Sequence, residues 1–216
     1  MISHSLKFIF IHIPKTSGNS LTLFLKDYLN NKVISVINFL GLNEGVKVMD
    51  EYKFRDIKHK KLEYYYSTYK NKVRNNKKIE IRDYYKFTIV RNPYDRILSY
   101  YFYFRGKTSK NFDTKNFSKK DFLHFINKDK FYQPQYAYIL KNNKIDHGVH
   151  IIHYENLINE LNNIEIFNML DFNNLPKKNV SINSKKTHID DLLDDELKNI
   201  IYEKYKLDFL IFNYKK

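Results

Sequence analysis

Phe8-Ile-Phe-Ile-His-Ile-Pro-Lys-Thr-Ser-Gly-Asn-Ser20 is the stretch that decides the fold. Phe8 to Ile13 is aromatic and β-branched apart from His12, and Pro14 ends it, so it reads as a short buried strand. From Ser17 onward, apolar residues fall at Leu21, Phe24, Leu25, Tyr28 and Leu29. That is the i, i+3, i+4, i+7, i+8 spacing of one helix face. The opening unit is a strand, a tight loop and a helix.

The same unit recurs further along the chain. Tyr85-Lys-Phe-Thr-Ile-Val90 reads as a strand, Arg91-Asn-Pro93 as a turn, and Tyr94 to Phe104 as a helix with Pro93 suited to its first turn. Val149 to Tyr154 reads as a third strand, followed by a helix through about Met169. Near the C-terminus Leu193, Leu197, Ile200, Ile201 and Tyr205 form an amphipathic stripe. Asp190, Asp191, Asp194 and Asp195 stand near its start, where carboxylates favour the helix dipole. Phe209 to Tyr214 is expected to pack back on the core. Strands alternating with helices predict an α/β fold with a mostly parallel central sheet flanked by helices. One domain over residues 1–216 is expected, with polar loops at Asn71 to Ile79 and Lys107 to Lys120.

Composition limits what such a domain can do. The 216 residues include no Cys, which excludes a disulfide scaffold and thiolate chemistry. At 43% hydrophobic and 17% aromatic the chain has material for one sizeable core. A net charge of +14 creates a field that attracts phosphates, sulfates, nucleic acid or acidic glycans. The longest apolar runs, Phe8 to Ile13 and Val33 to Leu42, are far short of the roughly 20 residues that span a bilayer. With strand-like sequence beginning close to Met1, a cytoplasmic location without a membrane span is the expectation.

The loop His12 to Ser20 lies where an α/β fold places its ligand, between the carboxyl end of a strand and the next helix N-terminus. Its amides can surround an oxyanion, Gly18 permits close backbone approach, Lys15 supplies a point charge, and Thr16, Ser17 and Ser20 add hydroxyls. It is not a Walker A loop, because Lys15 precedes Gly18 instead of following a glycine. Taken alone, an ordinary capped helix start with a surface Lys fits equally well.

Ile11-His-Ile-Pro-Lys-Thr-Ser-Gly-Asn-Ser20 resembles the 5′-phosphosulfate loop of sulfotransferases that use 3′-phosphoadenosine 5′-phosphosulfate (PAPS). The particular group is the one containing heparan sulfate 2-O-sulfotransferase and many bacterial carbohydrate sulfotransferases. The family form is close to H-I-P-K-T-G-G-T-S, and this chain departs from it at Ser17 and Asn19. The resemblance implies a P-loop-like sulfotransferase fold, with Lys15, Thr16, Ser17, Gly18, Asn19 and Ser20 at the donor's sulfuryl end.

Phe87 to Tyr101 resembles the same family's 3′-phosphate segment, which places Arg91 and Ser99 on that phosphate. The spacing suits this role, since Ser99 lies about two turns into the helix; Arg96 as the ligand, with Ser99 a packing residue, is the alternative. Lys58-His59 resembles the Lys-His pair of the bacterial branch, in which the His acts as base. A solvated run from Lys58 to Lys61 is the alternative there, and the neighbouring ammonium groups favour a neutral imidazole. Gln135-Tyr136, Val149 to Leu157 and Tyr205 to Tyr214 resemble the family's scaffold around the acceptor cleft more loosely. Lys185-Lys186, after Ser181, match its basic loop poorly.

Two other patterns are discounted. His150 and His153 point to opposite faces of a strand, so with His147 they read as structural or surface residues and not as a metal site. The basic and aromatic run Tyr64 to Lys72 reads as an amphipathic helix and not as a nucleic-acid surface.

The resemblance thus implies an enzyme moving a sulfuryl group from PAPS to a hydroxyl, most readily on a glycan, and leaving adenosine 3′,5′-bisphosphate (PAP) without a metal. Lys15 and His59 would be catalytic. A nucleotide or sugar kinase using the same loop, and a non-catalytic polyanion-binding module, are the alternatives.

Overall fold

The computed structural model describes residues 1–4, 6–26, 59–69, 73–74, 77–78, 80–109, 112–128, 132–176 and 189–216. Among these the strands are β1 (Ile2–Ser3), β2 (Phe8–Ile11), β3 (Val73–Arg74), β4 (Lys77–Lys78), β5 (Tyr85–Val90), β6 (Leu140–Lys141), β7 (Lys144–Ile145) and β8 (Val149–His153). The helices are α1 (residues 18–26), α2 (Leu62–Tyr69), α3 (Pro93–Thr108), α4 (Lys119–Lys128), α5 (Leu157–Asn162), α6 (Ile189–Leu192) and α7 (Asp195–Ile211). They divide into two compact units, Met1–Ile89 with Tyr138–Lys178 and Val90–Ala137 with Asn179–Lys216.

The central sheet has the order β1-β2-β5-β8. β1 runs antiparallel to β2, and β2 runs parallel to β5 with Phe10 opposite Phe87. The fold is α/β with a mostly parallel sheet, as the alternating pattern predicts. All of β2 is buried, and so is β5 after Tyr85. Such continuous burial is the mark of interior parallel strands.

Phe8 and Phe10 lie two apart and therefore share a sheet face. They meet Phe87, Ile89 and Ile152, with Leu21 and Leu25 of α1 and Leu157 and Leu161 of α5 closing the core above them. The Phe10 and Phe87 rings stack at 5.1 Å. Each buried Phe contributes about 1.5–3 kcal/mol. The end of β2 is consequently a firm seat for the loop that follows it.

In the second unit, Ile97, Leu98 and Tyr101 of α3 join Leu197, Ile201 and Phe209 of α7, with Phe122, Phe125 and Ile126 of α4. Asn92 caps α3 by accepting from Tyr94 N, and Asp194 caps α7 by accepting from Leu197 N. Phe209 and Phe212 are buried, so the terminal segment does pack on its core.

Several expectations shift. β2 stops at Ile11, two residues before Ile13, because the loop begins at His12. The helix expected through Met169 ends at Asn162, where Asn162 and Asn163 favour non-helical backbone; 3-10 turns at Glu165–Phe167 and Phe172–Asn174 then bury Phe167 and Phe172. Asn71 to Ile79 contains the β3-β4 hairpin where a loop was expected. α3 runs on through Thr108 and α4 starts at Lys119, which shortens the second expected loop. Among the described residues no helix is long and apolar enough to cross a membrane. The apolar run Val33 to Leu42 lies outside the described residues.

Candidate active site

The loop between β2 and α1 carries two residues in the left-handed region, Lys15 at φ 68° and Ser17 at φ 70°. Left-handed residues alternating with ordinary ones turn successive amides to one concave side, the backbone form of an anion-binding nest. The Ser17 carbonyl accepts from Ser20 N and Leu21 N and so starts α1, whose N-terminus adds its positive dipole end. Lys15 is half-buried, Asn19 is exposed, and Ser20 is buried.

Thr16 plays a different part from the one the sequence suggests. It is fully buried, and its Oγ1 donates to the Ile13 carbonyl at 3.0 Å. Its hydroxyl proton therefore closes the loop. The loop is held from beneath as well, by Thr88 Oγ1 donating to the Ile11 carbonyl at 2.7 Å.

Gly18 is needed for a neighbour. A Cβ on it would lie 2.2 Å from His12 Cδ2 and 2.4 Å from His12 Nε2. The buried His12 ring stacks on Phe10 at 5.6 Å and 15°. Sequence reasoning gave His12 no role; a His next to a strand end and six positions before a Gly was the available signal, and it is a faint one.

His59 comes to this loop from a distant part of the chain. Its ring centroid lies 4.5 Å from that of His12, and its Nδ1 lies 3.2 Å from the His12 carbonyl oxygen. A carbonyl only accepts, so Nδ1 carries the hydrogen, and in a neutral ring the lone pair would then be on Nε2. α2 begins just after His59 and is tied to β2 by Tyr65, whose buried hydroxyl donates to the Phe10 carbonyl at 3.4 Å. The residue is exposed and bonded to the loop. Its partner in the motif, Lys58, lies outside the described residues, as do Ser181, Lys185 and Lys186.

Ser17 stands where the family form has Gly, and its φ of 70° explains that preference. A Cβ in the left-handed region costs about 1–2 kcal/mol, of which the extra unfolded-state freedom of Gly returns part. Ser17→Gly is therefore expected to stabilise the fold by about 0.5–1 kcal/mol, a rise in Tm of about 2 °C. A thermal melt showing a fall instead would mean that the Ser17 hydroxyl makes a contact outweighing the strain.

In the second unit, Arg91 follows β5 directly, and its Nη2 lies 3.6 Å from Asp95 Oδ1. Its backbone is gripped by Gln135, which accepts from Arg91 N at 2.9 Å and donates to Arg91 O at 2.8 Å. Ser99 is half-buried on α3, past its first turn. Arg96, the alternative phosphate ligand, is 1% exposed. Both of its terminal nitrogens donate to the Gln133 carbonyl at 3.1 Å, and its guanidinium lies 4.2 Å from the centre of the Tyr132 ring. Arg96 is a structural cation, which leaves Arg91 as the candidate for an anion.

Among the described residues no cluster of His, Asp and Glu could hold a metal. His150 is exposed and His153 half-buried on β8, the latter with Nδ1 3.8 Å from Glu160 Oε1.

No curated protein and no solved structure matches the chain. A family model does, that of the sulfotransferase family, and its match runs over residues 1–215. A match of that extent through both anion motifs makes the chain a member of the sulfotransferase family.

Proposed function

We propose that the chain transfers the sulfuryl group of PAPS to a hydroxyl of a carbohydrate. Family membership supports sulfuryl transfer, and PAPS is the donor typical of the family. The observation that carries the reading is the loop itself: left-handed Lys15 and Ser17, a helix start, and His59 bonded to the same loop. In this reading residues 1–216 form one sulfotransferase domain, a view supported by the unbroken family match.

The residues divide the work by chemistry. The amides of Lys15 to Asn19 and the Lys15 ammonium neutralise charge building on the sulfuryl oxygens and the bridging oxygen. His59 Nε2 takes the acceptor's hydroxyl proton as the new O–S bond forms. The bond from sulfur to the bridging oxygen breaks, its electron pair stays on the phosphate, and PAP is the product. Arg91 and Ser99 hold the 3′-phosphate, Arg91 through a forked, charge-assisted contact. In-line positioning supplies much of the remaining acceleration, as in phosphoryl transfer.

PAP is expected to stabilise the protein far more than AMP or ATP. At about a hundredfold excess over its dissociation constant the gain is about 2.7 kcal/mol, a rise in Tm of about 5–10 °C. Equal thermal shifts from all three nucleotides would rule against a 3′-phosphate site and favour the kinase reading.

A further inference from the structure

Arg91 is the first residue past β5, at a point where the chain leaves its strand partners and its own amide and carbonyl need others. Gln135 supplies both, with Oε1 2.9 Å from Arg91 N and Nε2 2.8 Å from Arg91 O. A primary amide sets an acceptor oxygen and a donor NH2 side by side at the spacing of a peptide unit, so this side chain completes the ladder by a single rung.

Gln135 is in turn held from behind. It is fully buried, and so is Asp208 on α7. The Asp208 Oδ2 accepts from Gln135 N at 2.8 Å and its Oδ1 accepts from Tyr136 N at 2.9 Å. On the other flank Arg96 of α3 grips the Gln133 carbonyl with both terminal nitrogens. Residues 132–136 are thus bolted to one helix by a buried cation and to another by a buried anion. Burial pushes the Asp208 carboxyl up, against the pull of Arg96 and the two amide donors. Buried charge of this kind adds little net stability compared with an apolar core. Its effect here is geometric, because it fixes the segment whose Gln135 bonds the Arg91 backbone.

We propose that Gln135, backed by Asp208, is the positioning residue for Arg91, setting the backbone from which its guanidinium reaches the donor's 3′-phosphate. This rests on the reading of Arg91 as the 3′-phosphate ligand.

The test is the ratio of dissociation constants for AMP and PAP, two nucleotides that differ by the 3′-phosphate, measured by calorimetric titration. Gln135→Met keeps the side chain's length and removes both hydrogen bonds. It is expected to lower the ratio about tenfold by weakening PAP alone, the scale on which loss of such bonds acts. Asp208→Asn, which keeps one acceptor oxygen, should lower it less. In an Arg91→Ala background Gln135→Met should change nothing further, because coupled residues are not additive. An unchanged ratio in folded Gln135→Met, with the ratio collapsed in Arg91→Ala, would overturn the positioning role while leaving Arg91 on the phosphate. An unchanged ratio in Arg91→Ala would remove the reading beneath it, and the proposal with it. Should Gln135→Met not fold, Asp208→Asn decides by the same ratio; failure of both to fold would assign the network to folding alone and overturn the proposal.

Discussion

His59→Asn is expected to lower single-turnover sulfuryl transfer about 10²–10⁴-fold, the usual contribution of a positioned base, with PAP affinity unchanged. Asn is chosen on two structural grounds. His59 sits at φ 60°, a conformation Asn tolerates better than most residues, so the backbone should not move. The Asn side-chain amide can also replace Nδ1 as donor to the His12 carbonyl, now 3.2 Å away. What Asn cannot supply is the lone pair that Nε2 offers a hydroxyl. A fall in rate with an unaltered melting temperature therefore isolates the proton transfer. Should His59→Asn keep most of its turnover, the bond to the loop would be structural and the base would lie elsewhere.

What could be read from the sequence follows a physical division. Tyr85–Val90 was legible at both ends, since a run of β-branched and aromatic residues is stopped by Asn92-Pro93, a cap followed by a first-turn Pro. The loop between β2 and α1 was legible for the same reason: its markers are local. β6 and β7 left a fainter mark, the Asn142-Asn143 pair at φ 50° and 59°, which is the two-residue turn a hairpin needs. Strands of two residues carry no periodicity by which to find them.

The rest depends on contacts between residues far apart in sequence. Gln135 is 44 positions from Arg91 and 73 from Asp208, and no pattern of residue types announces either bond. Spacing alone also left Arg91 and Arg96 equivalent, both near the start of the same helix. Burial separates them, because Arg96 points its fork at a carbonyl within its own unit. Thr16 shows the same limit on a shorter scale: a hydroxyl in an anion loop reads as a ligand until its bond to Ile13 is seen.

Lys15 is the second residue on which transfer should depend heavily. Lys15→Ala is expected to lower the single-turnover rate about 10²–10³-fold, the range for losing one preorganised charge-stabilising group. PAP affinity should fall less, about tenfold, since a charge-assisted contact is worth roughly 1.5–3 kcal/mol and Lys15 shares the phosphate with the loop amides. The comparison is clean because Lys15 already bears a Cβ at φ 68°, so Ala inherits the same backbone strain and only the ammonium arm is lost. Lys15→Gly would confound the result by relieving that strain. The excess of rate loss over affinity loss measures how much more Lys15 binds the transition state, in which charge builds on the bridging oxygen, than the ground state. Equal losses would make Lys15 a plain anchor for the donor and shift charge stabilisation onto the amides of residues 16–19.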